Sequence, residues 1–421
     1  MLFQNGCMQI RIIAPKSIRG KVILPSSKSI SNRVLVINSL SDNCLDLPEN
    51  VSDCDDTRVM VEWLNDCGEI IDIGAAGTAM RFSTALLAVG EGVHVITGTE
   101  RMRQRPIGLL VDALRSLGAS IEYVGNDGFP PLRITGNPRM QGGKVVLSGG
   151  VSSQYISALL MVAPVMKNGI TLELTGGIIS RPYIDLTVGL MRDFGADVKW
   201  VDENVLRVEP KGYGRRKYFV ESDWSAASYW YEMVALSGGE VLLPGLFKDS
   251  CQGDSKGAEI FRMLGVGTEY VDGDGLGASV KLFNTGQVCE RLDYDFVNQP
   301  DLAQTFVVCC CMMGVPFRFT GLQSLKIKET DRISALRNEM AKLGYVIGEE
   351  QGSVLFWDGE RCEADANPAI DTYDDHRMAM AFAPCALVLG DVRINEPHVV
   401  SKSYPGFWDD LKGAGFRIEE K

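Results

Sequence analysis

Residues 101–123, RMRQRPIGLLVDALRSLGASIEY, contain the pattern on which the fold prediction rests. An apolar stretch with helical spacing ends at Gly118, and alternating apolar and polar residues follow it. Glycine is a common helix C-cap, and alternation of this kind is typical of a β-strand. The stretch therefore predicts a helix that ends at a glycine and leads directly into a strand.

The same helix–glycine–strand signature occurs in both halves of the chain. Its other copies centre on Gly68, Gly195, Gly265, Gly344 and Gly415. The copies are separated by roughly 50 to 80 residues, a spacing that indicates repeated α/β units. Because such junctions are common in α/β proteins, chance is the alternative explanation. A Gly- and charge-rich stretch at 209–223 predicts a boundary between the halves.

Composition indicates a globular protein of about two domains. The chain has 421 residues, of which 45% are hydrophobic and 23% charged. A net charge of −12 argues against a nucleic-acid partner. The uncharged run at 145–166 contains the polar block SGGVSSQ, so we expect no membrane span there. The spacing of the 11 cysteines and 3 histidines gives no metal-site pattern, and we expect reduced thiols in a cytoplasmic protein.

Basic residues cluster where the predicted helices begin, which is unusual because the chain is acidic overall. A helix N-terminus attracts anions by only about 0.3–1 kcal/mol at an exposed site. Charge-assisted hydrogen bonds add roughly 1.5–3 kcal/mol each. Any one of these side chains could simply be solvated, but the set favours binding of phosphate or carboxylate. Its members are Lys28, Arg33, Arg101, Arg103, Arg105, Arg181, Lys328, Arg332, Arg377 and Lys402.

Three short motifs could supply neutral hydrogen-bond donors to the same anions. LPSSKSISNR (24–33) places hydroxyls beside Lys28, and GAAGTAMR (74–81) is a Gly-rich turn into a helix. GGVSSQYISALL (149–160) places Ser152, Ser153 and Gln154 before an apolar helix. Ordinary helix capping explains each motif about equally well. The sequence contains no GxxxxGK[ST] loop, which disfavours an NTPase.

Two carboxylates are candidates for proton transfer. Asp301 precedes the apolar run LAQTFVVCCCMM, and Glu329 lies within KETDR. Asp301 could equally be a helix N-cap, and Glu329 an ion-paired surface residue. A carboxylate held among cations can also act as a general acid or base. Spacing does not choose between these readings.

Seven motifs, taken in order, resemble the 5-enolpyruvylshikimate-3-phosphate synthase family of enolpyruvyl transferases. They are LPSSKSISNR, AAGTAMR, RMRQRPIGLLVDALRSLGA, VSSQYISALLM, SRPYIDLT, KETDRI and YDDHRMAMAF. The resemblance implies a two-domain, inside-out α/β barrel. Each domain would contain three βαβαββ repeats, with helix N-termini facing the interdomain cleft. The domains would comprise residues 18–221 and residues 1–17 plus 222–421.

The resemblance also implies the reaction and its residues. The carboxyvinyl group of phosphoenolpyruvate would move to the 5-hydroxyl of shikimate 3-phosphate through a tetrahedral intermediate, with no metal or organic cofactor. Asp301, Glu329 and Lys28 would be catalytic. Shikimate 3-phosphate would contact Lys28, Ser29, Arg33, Ser152, Ser153, Gln154, Ser180, Tyr183, Asp301, Ser324 and Lys328. Phosphoenolpyruvate would contact Lys28, Gly77, Arg105, Gln154, Glu329, Arg332, His376, Arg377 and Lys402.

Departures from the family pattern and two alternative functions accompany this interpretation. Ala75 stands where the family carries Asn in its Gly-rich loop, and Ser324 stands where some members carry Asn. One alternative is the related transferase acting on UDP-N-acetylglucosamine. That relative usually has a Lys-Asn pair where this chain has Lys28–Ser29. The other is a non-catalytic ligand-binding relative, which would be expected to lose Asp301, Glu329 or Lys28. The family is mostly monomeric, so we expect a monomer.

Overall fold

The computed structural model describes residues 8–41, 47–66, 68–273 and 276–420. Strands and helices alternate along most of this length, as expected for an α/β protein. The strands are β1 (Gln9–Ile13), β2 (Arg19–Lys21), β3 (Ile70–Asp72), β4 (Val93–Thr97), β5 (Ser120–Tyr123), β6 (Leu132–Thr135), β7 (Gly143–Ser148), β8 (Ile170–Thr175), β9 (Val198–Asp202), β10 (Val205–Val208), β11 (Glu240–Pro244), β12 (Leu264–Gly273), β13 (Gly277–Val288), β14 (Leu292–Asp295), β15 (Phe317–Thr320), β16 (Gly348–Glu350), β17 (Val354–Trp357), β18 (Ala369–Ile370), β19 (Asp391–Asn395) and β20 (Arg417–Glu420).

The helices vary from single turns to four turns in length. The α-helices are α1 (Lys28–Ser39), α2 (Asp55–Asn65), α3 (Gly77–Val89), α4 (Glu100–Arg103), α5 (Gly108–Ser116), α6 (Ser153–Val162), α7 (Arg181–Asp193), α8 (Trp224–Ser237), α9 (Gly257–Met263), α10 (Ala303–Met313), α11 (Arg332–Lys342), α12 (His376–Phe382), α13 (Ala386–Leu389) and α14 (Phe407–Gly413). Short 3-10 turns cover Ala163–Val165, Gly253–Lys256, Pro300–Leu302, Gln323–Ile327, Ala383–Cys385 and Pro397–Lys402.

The six predicted helix–glycine–strand junctions are confirmed. Each glycine follows a helix and lies just before a strand or bridge, or, at Gly265, as the second residue of the strand. The junctions are α2 to β3, α5 to β5, α7 to β9, α9 to β12, α11 to the bridge at Tyr345, and α14 to β20. The glycines at 118, 195, 265, 344 and 415 have φ between 83° and 108°. Only glycine adopts this region without steric cost, so the residue type itself ends the helix there.

Five four-stranded sheets in the described residues share one topology. In each sheet the first two strands are parallel, and the third strand lies at the edge beyond the fourth, as in β3-β4-β6-β5. The other sheets are β7-β8-β10-β9, β2-β11-β13-β12, β14-β15-β17-β16 and β18-β19-β1-β20. In the last of these, β1 from the start of the chain takes the fourth position. One supersecondary unit therefore recurs along the chain.

The chain divides into two compact units. One comprises residues Ser26–Glu221, and the other comprises residues up to Pro25 together with those from Ser222 onward. The expected first boundary, between residues 17 and 18, needs correction because β2 pairs in parallel with β11 of the second unit. Ile18, Val22 and Leu24 are also buried in the core of that unit. The second division between the units lies between Glu221 and Ser222.

Each unit has its own core built around fully buried helices. Every residue of α3 is buried in the first unit, and every residue of α12 is buried in the second. Most residues of both helices are apolar, as suits helices enclosed on all sides. The uncharged run at 145–166 is divided between β7, α6 and a 3-10 turn. None of the helices described here is both long enough and apolar enough to cross a lipid bilayer.

Candidate active site

In the unit Ser26–Glu221, the first turn of α1 presents a lysine and a serine. Lys28 and Ser29 are the first two residues of the helix, and the side chain of Ser27 caps it by accepting from the Ile30 amide. Lys28 Nζ lies 3.5 Å from a carboxylate oxygen of Asp56, at the start of α2. Both side chains are mostly buried, with exposed fractions of 19% and 13%. The ammonium group is thus held in place by a neighbouring helix.

Arg33 lies one turn further along α1 and joins three helices. Its Nε donates to Thr187 Oγ1 at 2.7 Å, and its Nη2 donates to Ser157 Oγ at 3.2 Å. Nη1 and Nη2 also donate to the backbone carbonyls of Ser29 and Tyr183. Only 2% of Arg33 is exposed. The guanidinium therefore fixes the first turns of α1 and α7, where the two predicted substrate contacts Ser29 and Tyr183 lie.

The Gly-rich turn and the residue Arg105 are packed against each other. A Cβ atom on Gly77 would lie 2.5 Å from Arg105 Nη1 and 2.9 Å from Nη2. The absent side chain thus leaves room for the guanidinium above the first residue of α3. Arg81, one turn later, donates to the carbonyls of Gly77 and Pro106, and Tyr155 Oη donates to the same Pro106 carbonyl. These bonds join the Arg105 segment to the start of α3.

The starts of α6 and α7 supply hydroxyl and amide groups. Ser152 caps α6, Ser153 is its first residue, and Gln154 donates from Nε2 to Thr78 Oγ1 of α3 at 3.1 Å. Ser180 precedes α7 in the left-handed conformation, with φ 55° and ψ 37°, and is 6% exposed. Hydrogen bonds therefore join α1 to α6 and α7, and α6 to α3. The N-terminal portions of these helices and their caps carry the site residues predicted for this unit, except Arg105, which lies between α4 and α5.

In the other unit, Asp301 is surrounded by three cations. Its Oδ1 accepts from Arg332 Nη1 at 2.9 Å and lies 3.3 Å from Lys328 Nζ, and its Oδ2 accepts from Arg377 Nη2 at 3.1 Å. The N-cap reading of Asp301 is wrong, because α10 begins at Ala303 with Leu302 as its N-cap. Asp301 lies instead in the 3-10 turn that precedes the helix. The Asp301 carboxylate therefore contacts cations and does not cap the helix.

Arg332 joins three carboxylates although only 1% of it is exposed. Besides Asp301, it donates to Asp375 Oδ2 at 2.7 Å and to Glu329 Oε2 at 2.8 Å. Burial alone would lower the Arg332 pKa, but the three carboxylates outweigh burial and raise it. Arg332 therefore stays charged, and it holds both candidate proton-transfer residues, Asp301 and Glu329.

The YDDHR segment orients two further basic residues. Lys402 donates from Nζ to the Asp374 carbonyl at 2.6 Å and to its carboxylate at 2.5 Å. Asp375 caps α12 by accepting from the Arg377 amide at 2.9 Å, while also binding Arg332. His376, the first residue of α12, is 2% exposed. Ser324 lies apart from these contacts in a 3-10 turn and is half-buried.

Sequence reasoning missed several neighbours of this cluster. Asp375 is completely buried and holds Arg332, and Tyr229 Oη accepts from Arg377 Nη1 at 3.4 Å. Asp254 is also buried, and burial followed by repulsion from Asp301 raises its pKa to about 6. Tyr229 lies in α8 and Asp254 in the 3-10 turn Gly253–Lys256, and neither position carries a local sequence signal. Only Asp375 could have been suspected, because it stands inside the YDDHR motif.

Comparison with known proteins decides the family. Residues 64–411 match the model of the family described as EPSP synthase (3-phosphoshikimate 1-carboxyvinyltransferase). A curated 3-phosphoshikimate 1-carboxyvinyltransferase from Bacteroides fragilis is 58% identical over 98% of this chain and 99% of its own length. The chain belongs to the EPSP synthase family. A further relative of that name, from Shewanella halifaxensis, is 36% identical over 96% of this chain and 98% of its own.

Solved structures show the same fold at much lower identity. An EPSP synthase from Acinetobacter baumannii superimposes with a TM-score of 0.76 at 20% sequence identity. The match covers 98% of this chain and 100% of that one. At this identity the likeness establishes the mixed α/β fold of the EPSP synthase family, and the site residues must be argued from their own contacts.

Proposed function

We propose that this protein transfers the carboxyvinyl group of phosphoenolpyruvate to the 5-hydroxyl of shikimate 3-phosphate and releases inorganic phosphate. Membership of the EPSP synthase family supports the reaction. The observation that carries the proposal is the arrangement around Arg332, which binds Asp301 and Glu329 with one guanidinium. Such an arrangement holds two potential proton-transfer groups beside fixed positive charge.

In the addition step, Asp301 would act on shikimate 3-phosphate and Glu329 on phosphoenolpyruvate. Asp301 accepts the proton of the 5-hydroxyl as its oxygen attacks C2 of phosphoenolpyruvate, and Glu329 protonates the C3 methylene. The resulting tetrahedral ketal phosphate then loses inorganic phosphate as a proton leaves C3. Contacts with Lys328, Arg332 and Arg377 support Asp301 as an oriented hydrogen-bond acceptor for the hydroxyl. Lys28 is the third candidate for proton transfer.

The cations of both units would bind the two substrates' anionic groups. Phosphoenolpyruvate would be held by Lys28, Gly77, Arg105, Gln154, Glu329, Arg332, His376, Arg377 and Lys402. Shikimate 3-phosphate would be held by Lys28, Ser29, Arg33, Ser152, Ser153, Gln154, Ser180, Tyr183, Asp301, Ser324 and Lys328. Contact among the helix starts of the first unit, and among the Asp301, Arg332 and Arg377 side chains of the second, supports these assignments. Charge-assisted hydrogen bonds of this kind stabilise phosphate and carboxylate.

The domain arrangement stays a prediction. We propose the inside-out barrel of two three-repeat domains, and the common order of the five sheets supports a repeat in both units. We also propose a cytoplasmic monomer that uses no metal or organic cofactor.

Phosphate release tests the reaction directly. Purified protein should release phosphate from phosphoenolpyruvate only after shikimate 3-phosphate is added. Release with UDP-N-acetylglucosamine instead would favour the related transferase. Release with neither acceptor, from protein that binds both substrates in calorimetry, would favour a non-catalytic relative.

Substitution of the two carboxylates tests their roles. Asp301→Ala and Glu329→Ala should lower kcat by roughly 100-fold or more while changing the substrate KM values much less. Glu350→Gln is the matched control, because Glu350 is an exposed carboxylate that pairs with Arg318 elsewhere in the same unit. Near-normal kcat in both alanine variants would show that the proton-transfer assignment is wrong.

A further inference from the structure

The loop at 371–375 joins β18 to α12 and adopts a conformation that needs outside support. Tyr373 and Asp374 are consecutive non-glycine residues with φ of 54° and 56°. Residues other than glycine rarely adopt this left-handed backbone conformation. Where they do, contacts with the surrounding structure hold them in it. The loop carries Asp374, which holds Lys402, and Asp375, which holds Arg332. The groups that fix its conformation therefore influence two basic side chains of the site.

Glu339 contacts this loop directly from the C-terminal half of α11. Its Oε1 accepts from Tyr373 Oη at 2.7 Å, and its Oε2 accepts from the Asp371 amide at 3.0 Å. The Glu339 side chain is completely buried. A buried carboxylate is costly unless it is paired, so its two bonds to one loop are a strong restraint on that loop.

Lys342, one turn along α11, completes the restraint. Its Nζ lies 2.7 Å from Glu339 Oε2 and 2.7 Å from Asp371 Oδ2, and it donates to the Ala369 carbonyl at 3.1 Å. Asn395 of β19 donates to the other Asp371 oxygen at 2.6 Å. The start of the loop is thus bound from a helix and from a sheet.

From these contacts we infer that Glu339 and Tyr373 are positioning residues for the basic side chains Lys402 and Arg332. Neither residue contacts the cations directly. Glu339 binds Tyr373, and the two residues after Tyr373, Asp374 and Asp375, bind Lys402 and Arg332. The inference rests on the proposed function, since it takes Lys402 and Arg332 as phosphoenolpyruvate ligands. Glu339 and Tyr373 thus hold the loop whose aspartates, Asp374 and Asp375, orient the two cations.

Tyr373→Phe is the sharpest test, because it removes one hydroxyl and keeps the ring. We expect the KM for phosphoenolpyruvate to rise about tenfold, and the KM for shikimate 3-phosphate to change by less than about twofold. Glu339→Gln, which keeps an acceptor oxygen but loses the charge, should produce a change in the same direction. Tyr231→Phe is the matched control, because it removes a buried hydroxyl bonded to Thr268 in the same unit.

The measurement separates positioning from mere stability. A purely structural role would reduce the amount of folded enzyme, and kcat per mole of chain would fall while both KM values stayed constant. That result, or a Tyr373→Phe enzyme identical to the Tyr231→Phe enzyme, would overturn the inference. If Tyr373→Phe does not fold, the same two KM values of Glu339→Gln decide. A wild-type enzyme that releases no phosphate would instead contradict the proposed function.

Discussion

Gly77 has no space for a side chain, because the Arg105 guanidinium lies where a Cβ would be. Gly77→Ala should therefore displace Arg105, whose flexible end can move without unfolding the protein. Because Arg105 is proposed to bind phosphoenolpyruvate, we expect the KM for phosphoenolpyruvate to rise about tenfold. A rise of this size corresponds to the loss of roughly one charge-assisted hydrogen bond. Steady-state kinetics against both substrates would measure this change.

Gly189→Ala is the control for this substitution. Gly189 lies inside α7 of the same unit, and a Cβ there would meet nothing within 4 Å. Alanine should raise stability by roughly 0.5–1 kcal/mol, because glycine is the poorer helix former. Equal KM values in the two variants would show that Arg105 does not depend on the missing side chain.

At the scale of the helix, Thr187 shows how one hydroxyl joins three elements. It accepts from Arg33 of α1 at 2.7 Å, lies 2.8 Å from Ser157 Oγ of α6, and donates to Tyr183 within α7. Thr187→Val should lower stability by about 1–3 kcal/mol, because it leaves a buried guanidinium N–H without its acceptor. Thermal unfolding would measure the loss.

Thr84→Val is the matched control for this element. Thr84 is equally buried, but its hydroxyl donates to Met80 one turn back in its own helix. We expect a smaller loss there, since that carbonyl keeps its place in the α3 backbone ladder. Equal melting temperatures for the two variants would contradict a joining role for Thr187.

At the scale of the whole molecule, Asp254 makes stability depend on pH. Burial raises its pKa from 3.8 to about 6, so the folded protein holds this proton more tightly than the unfolded chain does. Ionisation of Asp254 therefore destabilises the folded protein. The loss of stability grows as pH rises from about 4 to 6 and is complete above that. Asp254→Asn removes the charge and should be more stable than wild type at pH 8, by up to roughly 3 kcal/mol.

Melting temperatures across pH would check this prediction. The gap between Asp254→Asn and wild type should close by about pH 4, below the unfolded-state pKa. Asp409→Asn, an exposed carboxylate beside Lys412, is the control and should show little gap at any pH. A gap of the same size at pH 4 and pH 8 would show that burial of the Asp254 charge is not its cause.

The extent of sequence-based prediction follows from the range of the interactions involved. The glycine junctions were predictable because a helix end and the following strand are encoded within about ten residues. The basic residues at helix starts were found for the same reason. Arg33 was assigned only a ligand role, because its bonds to Ser157 and Thr187 bridge 124 and 154 residues. Glu339 was missed because its partner Tyr373 lies 34 residues away in a loop.

The strand β1 lies between β19 and β20, so the first described strand and the last are neighbours. Ile10 and Glu420 are cross-strand partners in this antiparallel pair. The C-terminal end of β20 therefore lies beside the N-terminal end of β1, and a short linker could join them. New chain ends could then be placed between Pro25 and Ser26. A circular permutant of this kind would encode the Ser26–Glu221 unit first and then the remaining unit as one uninterrupted segment. The ribosome would then complete the first unit before any of the second is made, which would separate their folding in time.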